Sequence, residues 1–482
     1  MTELVKEGVP TFAVVGRINM GKSAVLATLL EVDDDRLIRV SPTPGETTHS
    51  QRLPGAFDGR ELVCFIDTPG FSRPLEAMRA IQDLHGEGTP GIESVQRFVA
   101  ERGGEFEDEA RLLEPILQGA GILYVVDPGK PLRDAFVAEM EILRWTGRPR
   151  MALLNQKEEG ADHLEEWKTR LGSYFNLVRT FNAHHARFEE RKHLMRSLLE
   201  IDEANRPMLE EAIALIEDEW TGRREEAADA ILDMLRDALT LRVEGRIEDE
   251  HRHSERKRER LAKDLSRRYL DQVRKIELRA YERLLEIYRH HLVTVEPGGS
   301  GYEGIDLEAA ETWKKWGLGR GQLTLAGGVA GAAGGALVDV GTGGLTHGVG
   351  TVVGALGGAA AAFFKGADLP ELGLDARSGM KVSSGSGRAL VVGPPRNENF
   401  PWVLLDSALH HYESITGRAH GRREKEVLAS APDRGEGWVR SWPSHRRNRF
   451  TKWFASCAKG SPDSEAEQRV FDGLVAALEE VG

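Results

Sequence analysis

The sequence predicts an α/β domain, built as a mostly parallel sheet with flanking helices, followed by a mainly α-helical region with a glycine-rich helical hairpin and a small C-terminal region. Three observations predict it. Short apolar runs, FAVVG, LVCFID, ILYVVD, MALLN and LVRTFN, alternate with helical or loop stretches from Thr11 to about Phe181, which is how buried parallel strands and their crossovers read. From about Glu189 to His291 the composition changes to dense Glu, Arg, Leu and Ala, the pattern of long helices with one packed face. Finally, 17 of the 53 glycines fall between Gly317 and Gly366, an excess that needs its own explanation.

At 482 residues the chain has room for roughly two to four domains and a sizeable core. We divide it into an α/β domain over 1–188, a charged long-helix region over 189–295, a linker over 296–320, the hydrophobic hairpin over 321–366 and a helical region over 367–482. Acidic residues outnumber basic ones, 77 against 64, for a formal net charge of −13. That balance disfavours nucleic acid as a partner of the whole surface. Two cysteines, Cys64 and Cys457, are too few for a disulfide framework and point to a reducing, cytoplasmic compartment. The start, MTELVKEGVPTFAVVG, lacks the pattern of a signal peptide, so export is not expected.

Within the α/β domain the ligand loops should lie at the carboxyl ends of the strands. The first of them, Gly16-Arg17-Ile18-Asn19-Met20-Gly21-Lys22-Ser23, fits G-x-x-x-x-G-K-[ST], follows an apolar strand and precedes the helix-like AVLATLLE. Glycines let such a loop curl until backbone N–H groups face phosphate oxygens, and the following helix adds its positive end. Lys22 supplies a charge to the β- and γ-phosphates, and the Ser23 hydroxyl suits Mg²⁺, which prefers few protein oxygens plus phosphate and water. The stretch from Phe71 to Ala120 is long for one connection. It reads as an expanded, mobile region with a helix at PLEAMRAIQDLH, a glycine-containing segment and another helix.

Three further pieces have the spacing of a GTPase. Asp67-Thr68-Pro69-Gly70 ends the run LVCFID, so Asp67 can hold Mg²⁺ through water while the Gly70 N–H reaches the γ-phosphate. Thr47, in Pro44-Gly45-Glu46-Thr47-Thr48, lies between the two loops and can reach the metal. Asn155, closing MALLN, and Asn182-Ala183-His184, closing LVRTFN, sit where a base-reading loop should be. With this set assembled, the first 190 residues resemble the Era and TrmE branch of translation-factor-related P-loop GTPases, whose motifs read GxPNxGKS, PGxT, DTPG, NKxD and SAK. The resemblance implies GTP and GDP as ligands with Mg²⁺. It implies nucleotide contacts from Gly16, Asn19, Met20, Gly21, Lys22, Ser23, Ala24, Asn155, Gln156, Glu158, Asn182, Ala183 and His184. It implies metal contacts from Ser23, Thr47 and Asp67, and catalytic roles for Lys22, Thr47 and Gly70.

The departures from the family pattern bear on specificity and rate. Glu158 stands where NKxD has aspartate, and Gln156 replaces the lysine that stacks on the base. A glutamate can still accept from the guanine N1 and N2 donors, at a different reach; Asp162 is an alternative acceptor. Of SAK only Ala183 remains, whose N–H would contact the guanine O6. Guanine is the expected base and adenine the alternative. Phe71 follows Gly70 where Ras-like GTPases carry the water-positioning glutamine, so intrinsic hydrolysis should be slow. Asn19 matches the P-loop asparagine that helps hold K⁺ in potassium-activated members of this branch. Water positioning is then left to K⁺, a switch residue such as Glu46, Thr47, Thr48 or His49, or a dimer partner.

In the second half, Leu261, Leu265, Tyr269, Gln272, Ile276, Ala280, Leu284 and Ile287 recur at helical spacing and define a packing face. Between Gly321 and Phe364 the only formal charge is Asp339. Gly327, Gly331 and Gly335 form one four-residue row, and Gly350, Gly354 and Gly358 form another. Such rows let helices approach closely, often in lipid, although a buried soluble hairpin is the alternative. The cluster Arg440, Arg446, Arg447, Arg449 and Lys452 with Trp442, Trp453 and Phe454 fits a solvated helix over core tryptophans, and by composition also lipid headgroups or RNA. The chain order resembles a bacterial GTPase family whose C-terminal half is catalogued as a domain of unknown function and, by architecture alone, dynamin-like GTPases. The expected function is a GTPase whose nucleotide state controls engagement of a membrane lipid or membrane protein at the inner face of the cell membrane, with homo-oligomers an option. The competing readings are a ribosome- or RNA-associated assembly GTPase and a nucleotide-gated scaffold with negligible turnover.

Overall fold

The computed structural model describes residues 4–32, 50–57, 59–156, 162–247, 255–295, 388–393, 400–422, 426–428, 437–460 and 462–482. Thr47 and its neighbours, Glu158, the 296–320 linker and the 321–366 hairpin lie outside the described residues. The described chain divides into two compact units. The first comprises 1–222 with the short segments 289–292 and 416–425, and the second comprises 223–288, 293–415 and 426–482.

The first unit is built on a six-stranded sheet. Its strands are β1 (Thr11–Val15), β2 (Gln51–Phe57), β3 (Arg60–Asp67), β4 (Gly121–Val126), β5 (Arg150–Asn155) and β6 (Leu177–Phe181), in the order β2-β3-β1-β4-β5-β6. Every neighbouring pair is parallel except β2 with β3. The five apolar runs seen in the sequence are β1, β3, β4, β5 and β6. Their apolar character has a physical cause, since β1 and β4 are buried along their whole length, as a parallel sheet covered on both faces requires. The added strand, β2, lies at the edge. There Pro54, which has no N–H to give a ladder, is tolerated, and a bulge interrupts the register at Gly55 and Ala56.

Helices cover both faces. On one side lie α2 (Pro74–His85), α3 (Ile92–Arg102), α4 (Glu107–Leu117), α5 (Asp134–Trp145) and α6 (Leu164–Gly172), packing residues such as Ile81, Phe98, Leu112, Met140 and Trp167 onto Ile122 and Tyr124. On the other, α1 (Lys22–Leu30), α7 (Phe188–Ile201) and the first part of α8 (Arg206–Thr240) pack Leu26, Leu198 and Ile213 onto Phe65, Leu123 and Leu153. The 71–120 connection, expected as a mobile region, contains three helices and sends Val95 and Phe98 of α3 and Phe106, just before α4, into the core.

The second unit contains the rest of α8, α9 (Glu255–Ile287), α10 (Phe400–Thr416), α11 (Ser444–Ala458) and α12 (Ser464–Val481). Two small sheets join them, β7 (Val243–Ile247) antiparallel to β9 (Arg388–Val392), and β8 (Val293–Val295) parallel to β10 (Glu426–Leu428). Its core is aromatic. Trp402 lies against Trp442, Phe450 and Phe454, and Trp453 is fully buried with its indole N–H donated to Glu467. Trp442, Trp453 and Phe454 are therefore core residues, while Arg440, Arg449 and Lys452 are exposed, which is the expected solvated helix over core tryptophans and takes the aromatic side chains out of the lipid- or RNA-facing alternative. Arg446, stacked over Trp442, pairs with Glu480.

Candidate functional site

The loop Gly16–Ser23 runs from the carboxyl end of β1 into α1. Gly16 has to be glycine, because a Cβ there would stand 2.3 Å from the Val125 carbonyl oxygen of the adjacent strand. Asn19 (φ 63°) and Gly21 (φ 92°) both take the left-handed conformation, which turns the loop back on itself. Inside the turn Lys22 Nζ donates to the Gly16 carbonyl at 2.7 Å and, more weakly, to Arg17 O at 3.4 Å. Burial pulls the Lys22 ammonium below the usual lysine value, while the nearby carboxylates of Asp67 and Glu139 pull it back up.

Asp67 ends β3 beside β1 and is buried. The next residue, Thr68, is fixed by its hydroxyl, which donates to Val14 O at 2.8 Å. Gly70 then lies against the phosphate loop, since a Cβ on it would be 3.1 Å from Gly16 O and 3.4 Å from Arg17 Cα. Phe71 is buried in the core with Ala77 and Ile81 and does not face the loop with a polar group. The donor set of Ser23 hydroxyl and Asp67 carboxylate is hard oxygen, which fits Mg²⁺.

At the carboxyl ends of β5 and β6, where the sequence predicts the base-reading loops, Asn155 joins two loops. Its side-chain amide donates to Met20 O at 3.2 Å, and its Oδ1 accepts from the Ala183 N–H at 3.1 Å. The Ala183 N–H, expected to face the base O6, is thus given to Asn155 here. Asn182 Oδ1 accepts from the His184 N–H, and Asn182 O from the N–H groups of His185 and Ala186, closing a tight turn. The Gln156 N–H donates to Phe181 O at 2.8 Å, and Gln156 and Asn182 line one open pocket. Ala24 contributes its carbonyl, which accepts from the Thr28 hydroxyl, and Met20 contributes its carbonyl to Asn155 and its sulfur as acceptor of the Asp127 N–H at 3.3 Å. Of the sequence-predicted residues, Gly16, Asn19, Met20, Gly21, Lys22, Ser23 and Gly70 come together in or against the phosphate loop. Asn155 ties that loop to residues 182–184.

Sequence spacing missed a buried group beneath the loop. Glu139, on α5, is fully buried and accepts from the Tyr124 hydroxyl at 2.8 Å, with Arg17 Nε of the phosphate loop 3.3 Å from its other oxygen. Burial pushes this carboxyl up to about 8, against the opposing pull of Tyr124, Arg17 and Lys22. Lys130 also reaches the loop, donating to Asn19 O at 3.2 Å. Folded Glu139 therefore keeps a proton that the unfolded chain releases near the ordinary glutamate value. Between that value and about 8 the folded state binds more protons, so stability falls as pH rises. Glu139→Gln should flatten this fall: its melting midpoint should change less between pH 5.5 and 8.5 than that of the wild type. Equal slopes would show that Glu139 is ionised throughout.

A curled glycine loop between a buried parallel strand and a helix, with Asp67 and Gly70 on the neighbouring strand end, defines a P-loop GTPase domain. Residues 11–156 match the family model described as "50S ribosome-binding GTPase". Residues 168–477 match the model described as "Domain of unknown function (DUF3482)", and the chain belongs to that family. A probable GTP-binding protein EngB of Dechloromonas aromatica (strain RCB) is 29% identical over 161 residues, which are 33% of this chain and 60% of that protein. The chain thus spans about three fifths of that relative's length. A crystal structure of Era in complex with MgGDPNP and nucleotides 1506–1542 of 16S ribosomal RNA aligns at 13% identity. It covers 50% of this chain and 72% of that one, with a TM-score of 0.28.

Proposed function

We propose that this chain binds GTP and Mg²⁺ at the 16–23 loop and hydrolyses GTP to GDP and phosphate. The observation that carries the reading is Lys22 folded onto the Gly16 carbonyl with Gly70 packed against the same carbonyl, the arrangement a γ-phosphate would enter. Water attacks the γ-phosphorus in line, the bond to the β-bridging oxygen breaks, and the proton of the water leaves with the phosphate. Lys22 and the loop N–H groups stabilise the charge that gathers on the phosphate oxygens. Ser23 and Asp67, with Thr47, would hold Mg²⁺, which neutralises charge on the β- and γ-oxygens when bound. Gln156 and residues 182–184 border the base. With Phe71 buried in place of a glutamine, unassisted turnover is slow, and K⁺ beside Asn19 would raise it.

In this proposal the nucleotide state governs engagement of a membrane or membrane partner through the glycine-rich 321–366 segment. Among the described residues, no helix is long and apolar enough to cross a membrane. A second reading, a ribosome-associated GTPase, is favoured by the description of the model that residues 11–156 match. One experiment separates the readings: multiple-turnover phosphate release from GTP by the full chain in K⁺ buffer, alone, with liposomes and with large ribosomal subunits. Release above background supports the enzyme, and stimulation by one addition identifies the class of partner. GTP binding with no release in any condition would replace the enzyme with a nucleotide-gated scaffold.

A further inference from the structure

The base-side loop is contacted by a segment that lies 238 residues further along the chain. Residues 419–422 form a turn closed by the Arg422 N–H on Ala419 O at 3.1 Å, and the turn lies within the first compact unit. Arg422 Nε donates to the His184 carbonyl at 2.9 Å, and the Arg422 terminal NH₂ touches the ring nitrogens of His185 at 3.1 and 3.2 Å. Gly421, beside it, has no room for a side chain. A Cβ there would stand 2.3 Å from Ala183 O, 3.0 Å from Ala24 O and 3.0 Å from the Thr28 hydroxyl. Thr28 in turn lies 3.0 Å from both of those carbonyl oxygens. The 182–185 loop is therefore held between α1, which starts from the phosphate loop, and a turn in the part of the chain covered by the second family model.

We propose that Gly421 and Arg422 are positioning residues for base binding. Arg422 holds the His184 carbonyl and Gly421 packs its backbone against the Ala183 carbonyl that Thr28 holds, so together they set the path of the 182–185 loop that borders the base, and affinity for the base end of the nucleotide depends on residues outside the 11–156 GTPase match. The proposal rests on the GTP reading above. A guanidinium is suited to the task, because one planar group can serve a carbonyl and an adjacent ring together. An added methyl at Gly421 would meet backbone oxygen, which has no rotamer by which to move aside.

The test uses the full chain with Arg422→Ala, Arg422→Lys and Gly421→Ala, titrating mant-GTP and inorganic tripolyphosphate and recording each melting midpoint. Tripolyphosphate reports the phosphate loop alone. Arg422→Ala should weaken mant-GTP about tenfold with tripolyphosphate binding unchanged, Arg422→Lys should recover part of the loss by restoring one donor to His184 O, and Gly421→Ala should lose at least as much as Arg422→Ala. Wild-type mant-GTP affinity in both Arg422→Ala and Gly421→Ala would overturn the proposal. So would a parallel loss of tripolyphosphate binding, which would place the effect on the fold or the phosphate loop. Failure of the wild type itself to bind mant-GTP is a different result, since it removes the GTP reading on which the proposal stands.

Discussion

Lys22→Ala is expected to lower affinity for GTP by about two to three orders of magnitude while leaving the nucleotide-free protein folded. In the folded chain the ammonium is satisfied by Gly16 O and Arg17 O, and burial already works against its charge. Anionic phosphate replaces neutral carbonyl partners with charged ones and offsets that cost. Hydrogen bonds involving charged groups contribute about 1.5–3 kcal/mol each. Two such bonds to β- and γ-oxygens give about 3–4 kcal/mol after partial cancellation by the lost loop contacts, and each factor of ten corresponds to about 1.4 kcal/mol. The loop shape is kept by Gly16 against Val125 and by Asn155 on Met20 O, neither of which needs Lys22. A mant-GTP titration with a nucleotide-free melt checks both halves. Unchanged affinity would mean that the phosphates bind elsewhere.

The parts of this fold that a sequence displays are those whose local chemistry is forced. Strands buried on both faces have to be continuous apolar runs, so β1, β3, β4, β5 and β6 could be read directly, and the phosphate loop is a contiguous motif whose glycines are required by contacts such as Gly16 with Val125 O. The edge strand β2 is no apolar run, because Pro54 and Gly55 interrupt it; pairing with β3 makes that segment a strand. The α9 face was predicted with Gln272 in it, but Val273 is the buried residue and Gln272 is exposed, a drift of one position in a long helix whose period is not a whole number. Glu139 lies on a helix of ordinary composition, and nothing in its neighbours' identities marks it as the acid beneath Arg17. Arg422 is less legible still. Its partner is 238 residues away, and spacing within the chain carries no information about a contact made by tertiary closure.

Asn155→Ala is expected to lower both stability and nucleotide affinity, because one side chain serves two loops. Asn155 is fully buried, as is Ala183, and Met20 is nearly so. Its amide donates to Met20 O and its oxygen accepts from the Ala183 N–H. Truncation leaves a buried acceptor and a buried donor unpaired, each costing about 1–3 kcal/mol, for a total of about 2–6 kcal/mol against a typical domain stability of about 5–15 kcal/mol. A urea denaturation curve should therefore shift its midpoint downward with its slope kept. Asn155→Asp isolates the contributions, since the carboxylate still accepts from Ala183 but cannot donate to Met20 O and adds a buried negative charge near the phosphates. It should lose more GTP affinity than Asn155→Ala. The contrast with Lys22→Ala is what makes the pair informative. Removing the lysine should change binding and spare the melt, whereas removing the asparagine should change both, because the phosphate loop and the base-side loop are held in register through it. Asn155→Ala with a wild-type melt and wild-type mant-GTP affinity would mean that the two loops are positioned independently, and would remove the physical link between phosphate and base recognition.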